Sequence, residues 1–377
     1  MKKRIDPNLH REIGRFGGVD VDSCYHCGTC TAICNLTDEE HSFPRRMMHY
    51  LQIGNREKLR HSIEPWLCYY CGDCTASCPR DANPAETMMA TRRWLTGQYD
   101  WTGLARRMYT SAVWEIGAIF FVAALVVALF VMFHGPIITD HMALNSFAPE
   151  WAIEVGDLIM AAVLSFFLLT NAFRMYLWTM RSDKDLKVPL SAYVSAVPEF
   201  IVHFTTQKRW RTFGVRKRWR RHFLLVTGYV SMLILIIGLL RWFQTDGVPS
   251  WWDPLHLIGY YATAVLLWAT VDMMVGRVKK RDEMHRFSEP SDWVFLIMLF
   301  LTVLTGITMR AFHLADWPLA TYYTYVVHLA IAVPMLIVEV PFSKWSHLLY
   351  RPLAMYLVEV RRLAEKAPQR SEQAAAA

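Results

Sequence analysis

Beyond Cys78 the chain has no cysteine: all eight lie between residues 24 and 78, and the last 299 residues hold none. Charged residues are scarce at 19%, against about a quarter in an ordinary soluble domain. The opening Met1-Lys2-Lys3-Arg4-Ile5-Asp6 lacks the apolar core of a secretory signal. No glycine-rich dinucleotide or phosphate loop occurs, so any flavin belongs to another chain. These absences exclude a secreted disulfide scaffold, a disordered chain and a single soluble globule. They leave a charged head, residues 1–107, and a membrane domain, 108–350, followed by a tail, 351–377.

The cysteines form two copies of C-x2-C-x2-C-x3-C: Cys24, Cys27, Cys30, Cys34 and Cys68, Cys71, Cys74, Cys78, the second followed by Pro79 and the first by Asn35. In a reducing cytoplasm such clusters bind metal. A cubane needs four thiolates at tetrahedral corners; three at this spacing wrap one face and the fourth comes from the other motif. The expected ligand sets are Cys24, Cys27, Cys30 and Cys78 for one [4Fe-4S] cluster, and Cys68, Cys71, Cys74 and Cys34 for the other. Zinc prefers separated C-x2-C pairs and suits the pattern poorly. His26 lies inside a loop whose irons already have four thiolates, so it is expected beside the cluster rather than on it. Helices are expected over 43–54, ending at Gly54, and over 84–95. Arg45, Arg46, Arg92 and Arg93 read as solvated or docking charges.

Six apolar runs follow, near 112–133, 151–178, 222–243, 255–276, 292–313 and 321–343, each about the ~20 residues that cross the hydrocarbon. Loops 134–150, 244–254 and 314–320 contain no Lys or Arg, whereas 179–221 contains eleven, 277–291 five and the stretch from 344 six. The positive-inside rule puts both termini and the head in the cytoplasm of an inner (cytoplasmic) membrane protein. This distribution accounts for the net charge of +7 with no nucleic acid as partner. Val188 to Phe204, broken by Pro189 and Pro198, reads as an interfacial helix pair. The fold class is all-α: a helical ferredoxin-like domain with two [4Fe-4S] clusters fused to a six-span transmembrane cytochrome b helix bundle.

A polar ring in lipid calls for a partner. His256 and His328 lie in the outer half, His222 and His347 at the inner side, which suits two b haems, one near each leaflet. Taken singly, His222, His256 and His347 also suit interfacial side chains; His328 is properly embedded. His203, His134, His141, His313 and His285 are reserves. Glu339 and Arg174 are placed to pair near the inner boundary. Arg310, at the outer boundary, could hold a propionate or snorkel.

The double motif with Phe43-Pro-Arg-Arg-Met, Trp66-Leu-Cys-Tyr-Tyr-Cys-Gly-Asp-Cys and Gly103-Leu-Ala-Arg106 resembles the membrane subunit of quinone-interacting membrane-bound oxidoreductase (Qmo) complexes. In that family a heterodisulfide reductase C-like ferredoxin is fused to a heterodisulfide reductase E-like cytochrome b. The membrane half is also similar to the gamma subunit of respiratory nitrate reductase, chiefly in His328-Leu and Pro341-Phe-Ser-Lys-Trp-Ser-His347. The likeness implies His222 with His347 on an inner haem, and His328 on an outer haem for which His256 is the substitute partner. His328 and His347 stand 19 residues apart with Pro334 between them, so a kink or bulge is needed to restore their facing. It further implies an oxidoreductase subunit passing electrons between menaquinone and cytoplasmic flavin and iron–sulfur subunits, which serve adenylylsulfate reductase in sulfate respiration. Two other expectations stay open: a heterodisulfide-reductase-type or sulfite-reductase-linked complex, and a haem-free redox-sensing anchor.

Overall fold

Short helices punctuated by glycine and proline build the first hundred residues: α1 (Leu9–Gly14), α2 (Thr29–Ala32), α3 (Arg45–Gln52), α4 (Arg56–His61), α5 (Glu64–Leu67), α6 (Asp73–Ala76) and α7 (Pro84–Tyr99). The computed structural model describes residues 5–18, 20–37, 42–181, 186–212 and 216–375. Among them there is no strand. α3 stops where expected: Gly54 takes φ +66°, and a Cβ there would collide with the Asp6 backbone. Asn55 then caps α4 by accepting from the Lys58 N–H at 3.1 Å. Pro84 opens α7, its missing N–H costing nothing in a first turn.

Leu9, Ile13, Met47, Leu51 and Trp94 are fully buried between these helices, each such side chain contributing ~1.5–3 kcal/mol. Arg56 ties the head together by binding both Asp6 and Glu12, and Glu12 also accepts from Trp94 Nε1 at 3.0 Å. Burial pushes the Glu12 carboxyl up, but hydrogen bonds from Arg56 and Trp94 outweigh it and hold the group below its ordinary 4.5. The stability this depression supplies is present above 4.5 and is lost as pH falls through the folded value. The gap in unfolding midpoint between wild type and Arg56→Gln is therefore expected to shrink as pH drops below 4.5. Tryptophan fluorescence melts across pH check this; a gap independent of pH would contradict it.

The chain continues through α8 (Leu104–Thr110), α9 (Ala112–Phe133), α10 (Leu144–Phe147), α11 (Glu150–Met180), α12 (Leu190–Thr206), α13 (Arg209–Thr212), α14 (Arg216–Leu233) and α15 (Leu240–Phe243). Then come α16 (Pro254–Val278), α17 (Glu283–Arg286), α18 (Pro290–Leu314), α19 (Pro318–Pro334), α20 (Val340–Phe342) and α21 (His347–Ala375). Six of these stretches are long and apolar enough to cross a membrane: Ala112–Phe133, Glu150–Met180, Arg216–Gly238, Pro254–Val278, Pro290–Leu314 and Pro318–Phe342. Each overlaps one of the six runs read from sequence. Phe120, Phe121 and Phe133 stand exposed along α9, as lipid-facing positions require. α19 packs against α9 and α18, α18 against α16, and α16 against α14.

Several expectations need correction. Residues 190–206 form one helix, not a pair, because α12 accommodates Pro198 in its interior and rests along α21. The third span is displaced from the expected 222–243: it covers Arg216–Gly238, and α14 passes into a π turn at Ile234–Gly238 before α15. Pro334 lacks an N–H, and the ladder beyond it widens into a π turn, Met335–Glu339, a bulge lying between His328 and His347. Yet His347 does not end that helix. The chain breaks at Ser343 (φ −132°, ψ −144°), makes a 3-10 turn and restarts as α21 at His347.

The head does not stand apart from this bundle. Its core is continuous with Met175 of α11, Ala196 of α12, and Tyr350, Ala354 and Leu357 of α21. Trp66, Tyr99 and Tyr350 meet with ring centroids 5.1–6.3 Å apart at the junction.

Candidate metal centre

The two cysteine loops have one conformation used twice. His26 (φ 58°) matches Tyr70 (φ 52°), Gly28 (φ 88°) matches Gly72 (φ 94°), and α2 and α6 start directly after the glycines. The left-handed residues turn backbone N–H groups toward sulfur: Tyr70 N–H donates to Cys68 Sγ and Ala82 N–H to Cys78 Sγ, each at 3.4 Å. The N–H groups of Thr29, Leu36 and Asp73 likewise serve Cys27, Cys34 and Cys71. Such bonds stabilise thiolates.

α2 packs against α6, which brings the loops together. The charges felt by Cys30 are those of Cys24, Cys27 and Cys78; those felt by Cys34 are of Cys68 and Cys71, then Cys30. Cys74 feels Cys68, Cys71 and Cys34 before Cys30. Burial, reinforced by these neighbours, pushes Cys34 up to about 11 and Cys74 higher. A partly buried group of thiols whose thiolate forms would repel one another is a donor set that a cationic metal core deprotonates. Cys34, Cys68, Cys71 and Cys74 line one hollow walled by Leu36, Phe43 and Met88. The donor set and its amides fit an iron–sulfur cluster. Among the described residues no three His, Cys, Asp or Glu side chains converge as ligands of a single metal ion. The other group lies nearer solvent: Cys27 is exposed, and Arg80 stacks 4.1 Å from the ring of Tyr25, itself 70% exposed. His26 touches His49, ring centroids 5.1 Å apart, and no cysteine hydrogen-bonds to it among the described residues.

The second loop is fastened to the membrane domain. Arg218 donates to Tyr70 O at 2.8 Å and Tyr69 O at 2.9 Å. Arg92 donates to Pro65 O at 2.5 Å and to Cys68 O, and Arg351 lies 4.5 Å over Tyr69. Tyr69 meets Trp210 edge-on at 6.0 Å, Trp210 meets His222 at 4.9 Å, and His222 faces His347 at 6.5 Å with their planes 60° apart. Rings at this separation are close enough that both could hold one metal through bonds of ~2 Å. Each ring is oriented through Nδ1, by Gln207 Oε1 at 2.7 Å for His222 and by Lys344 O at 2.6 Å for His347. That leaves Nε2 of each ring available as a ligand atom. Burial pushes His347 down to about 4, so its ring is neutral.

The other expected pair is not brought together. His328 turns to α18, with Nδ1 3.0 Å from Thr305 Oγ1 and its ring against Gly306. His256 sits in the first turn of α16, bonded to Asp253 at 2.9 Å and stacked 4.8 Å from Phe243. His328 lies ~15 Å into its own helix at 1.5 Å per residue, so the two differ in depth. The reserves have local partners: Glu199 for His203, Gly135 O for His134, Asp140 for His141, Gly247 O for His313 and Asp282 for His285.

Other readings change on contact with the structure. Arg93 is not solvated: 6% exposed, it donates to Glu86 at 2.9 Å and meets Asp292 at 3.4 Å. Arg277 and Lys344 converge on the same Asp292, and Tyr70 OH donates to Glu86 at 2.6 Å. Arg174 does not pair with Glu339; it donates to Gln98 O at 3.2 Å and lies over Trp178. Arg310 neither snorkels nor stands free, but points inward to Tyr260 OH at 3.1 Å and Pro249 O at 3.1 Å. Sequence reasoning missed Tyr69, Trp210, Gln207, Arg218 and Arg351. The signal available was the paired aromatics inside the second motif and an amphipathic start to the third span.

Residues 20–82, which hold all eight cysteines, match the 4Fe-4S dicluster domain family. No curated protein and no solved structure matches the chain. The chain thus joins a 4Fe-4S dicluster domain to a helical region with six helices long and apolar enough to cross a membrane, the make-up of a membrane electron-transfer subunit.

Proposed function

We propose that this chain is the electron-transfer subunit of a membrane quinone oxidoreductase, similar to the Qmo membrane subunit, linking menaquinone to cytoplasmic flavin and iron–sulfur subunits and through them to adenylylsulfate reductase. Cys24, Cys27, Cys30 and Cys78 hold an outlying [4Fe-4S] cluster, and Cys68, Cys71, Cys74 and Cys34 hold one next to the membrane domain. His222 and His347 hold a b haem on the cytoplasmic side, and His328 serves an outer one with a partner other than His256, from which the fold separates it. These groups, when bound, supply fixed one-electron carriers that couple two-electron quinone chemistry to soluble partners.

The observation that carries the reading is the contact series Tyr69, Trp210, His222 and His347, which runs from the second cysteine loop to a facing histidine pair. The chain's own work is positional. Backbone amides hold the thiolates, Leu36, Phe43 and Met88 keep water from one cysteine group, and Arg218 and Arg351 clamp the loop. Exposure of Tyr25 and Cys27 favours the first loop as the face offered to a soluble partner.

A reduced-minus-oxidised spectrum of the purified protein, with a pyridine haemochrome assay and an iron and acid-labile sulfide count, tests it. A b-type band is expected. His222→Ala and His347→Ala are each expected to remove the same haem while leaving the iron–sulfur resonance signals. Retention of every haem in both variants would defeat the pair.

A further inference from the structure

At the cytoplasmic end of the bundle lie two carboxyls that the reading above does not use. Glu115 of α9 and Glu339, the last residue of the π turn, are both 0% exposed and within hydrogen-bond reach of each other. Glu115 Oε1 accepts from Ser343 Oγ at 2.9 Å, and Glu339 Oε2 from the Lys344 N–H at 3.2 Å. Their remaining oxygens, Glu115 Oε2 and Glu339 Oε1, have no donor, and neither has the buried Tyr229 hydroxyl of α14. The other titratable groups facing the pair are Tyr109 of α8 and Asp292 of α18. The Lys344 ammonium pairs with Asp292 instead. Two buried carboxylates in contact, with no cation bonded to either, cannot both be ionised. A proton held by the pair supplies a donor where the two carboxyls otherwise lack one.

Residue 344 also connects this pair to the histidine centre. Its N–H binds Glu339 while its carbonyl orients His347. π turns of the kind that carries Glu339 recur at functional sites.

We propose that Glu115 and Glu339 form an intramembrane proton-binding site, holding one shared proton and taking up a second when an electron enters the neighbouring centre. The electron comes from the reductant of the proposed function and the proton from cytoplasmic water; on oxidation both leave, the proton to the same side. The redox half of this inference rests on the proposed function, whereas the shared proton does not.

Infrared spectroscopy of the full-length purified protein separates the two. In the absolute spectrum a protonated-carboxyl C=O band, sensitive to D2O, is expected. It should shift in Glu115→Gln and in Glu339→Gln, and disappear in the double variant, which keeps the volume and carries no buried charge. A band unmoved by all three variants overturns the shared proton. In the reduced-minus-oxidised spectrum the same band should change intensity in wild type and be silent in the double variant. No change in wild type, while visible spectra of the same sample show the carriers being reduced, overturns the redox coupling. Visible spectra without carriers would count against the proposed function and the coupling together, while the absolute band still decides the shared proton.

Discussion

Cys78→Ala is expected to abolish the same iron–sulfur resonance signal as Cys24→Ala, although Cys78 belongs to the second motif. Cys34→Ala, in the first motif, is expected to abolish the signal lost with Cys71→Ala. Each variant should retain about half the iron and acid-labile sulfide of the wild type, since one cubane of two is lost. The argument is one of neighbours. Cys78 is among the charges that act on Cys30, and Cys34 shares a hollow with Cys68, Cys71 and Cys74. If each motif instead closed its own cluster, Cys78→Ala would pair with Cys71→Ala, and the crossed assignment would fall. The two signals should also differ in response to the surroundings: His222→Ala, which keeps both, should slightly shift only the one that depends on Cys71, because Trp210 lies between that loop and the histidine.

The second large effect is on stability. Asp292 is 3% exposed and is the meeting point of Arg93 from the head, Arg277 from α16 and Lys344 from the break before α21. Removing one member of a buried ionic group leaves the others uncompensated, at a cost of ~3–5 kcal/mol. Asp292→Ala is therefore expected to lower the thermal unfolding midpoint in detergent more than Arg93→Gln does. Asp292 loses three cationic partners at once, whereas Arg93 leaves Lys344 and Arg277 in place. The double variant should cost less than the sum of the two single ones. Strict additivity would show that the head and the bundle are not joined through this carboxylate.

What could be read in advance was whatever local chemistry dictates. Hydropathy and the missing cations of three loops located six spans, and the cysteine spacing with Gly28 and Gly72 located both metal loops. Gly54 and Pro84 marked helix ends through their own backbone limits. Pairings across the chain left no such trace. Arg93 follows directly on Arg92, and a pair of adjacent arginines ordinarily meets water; its partner Asp292 is 199 residues away. For Glu339 the plausible cation read from the sequence is Arg174, since a buried carboxyl partner on α9 leaves no signature there. The restart at His347 was hidden for a similar reason. Ser343 breaks the helix while fully buried and bonded to Glu115, a condition set by the assembled bundle rather than by the residues on either side.

The continuous core beneath the two cysteine loops has a mechanical consequence. An iron–sulfur head whose Trp66 and Tyr99 are wedged onto Tyr350 has no hinge on which to commute between donor and acceptor. Under the proposed function, electron transfer through the head then rests on tunnelling distances set during folding, and a soluble partner has to come to a stationary terminal instead of being met by a swinging arm.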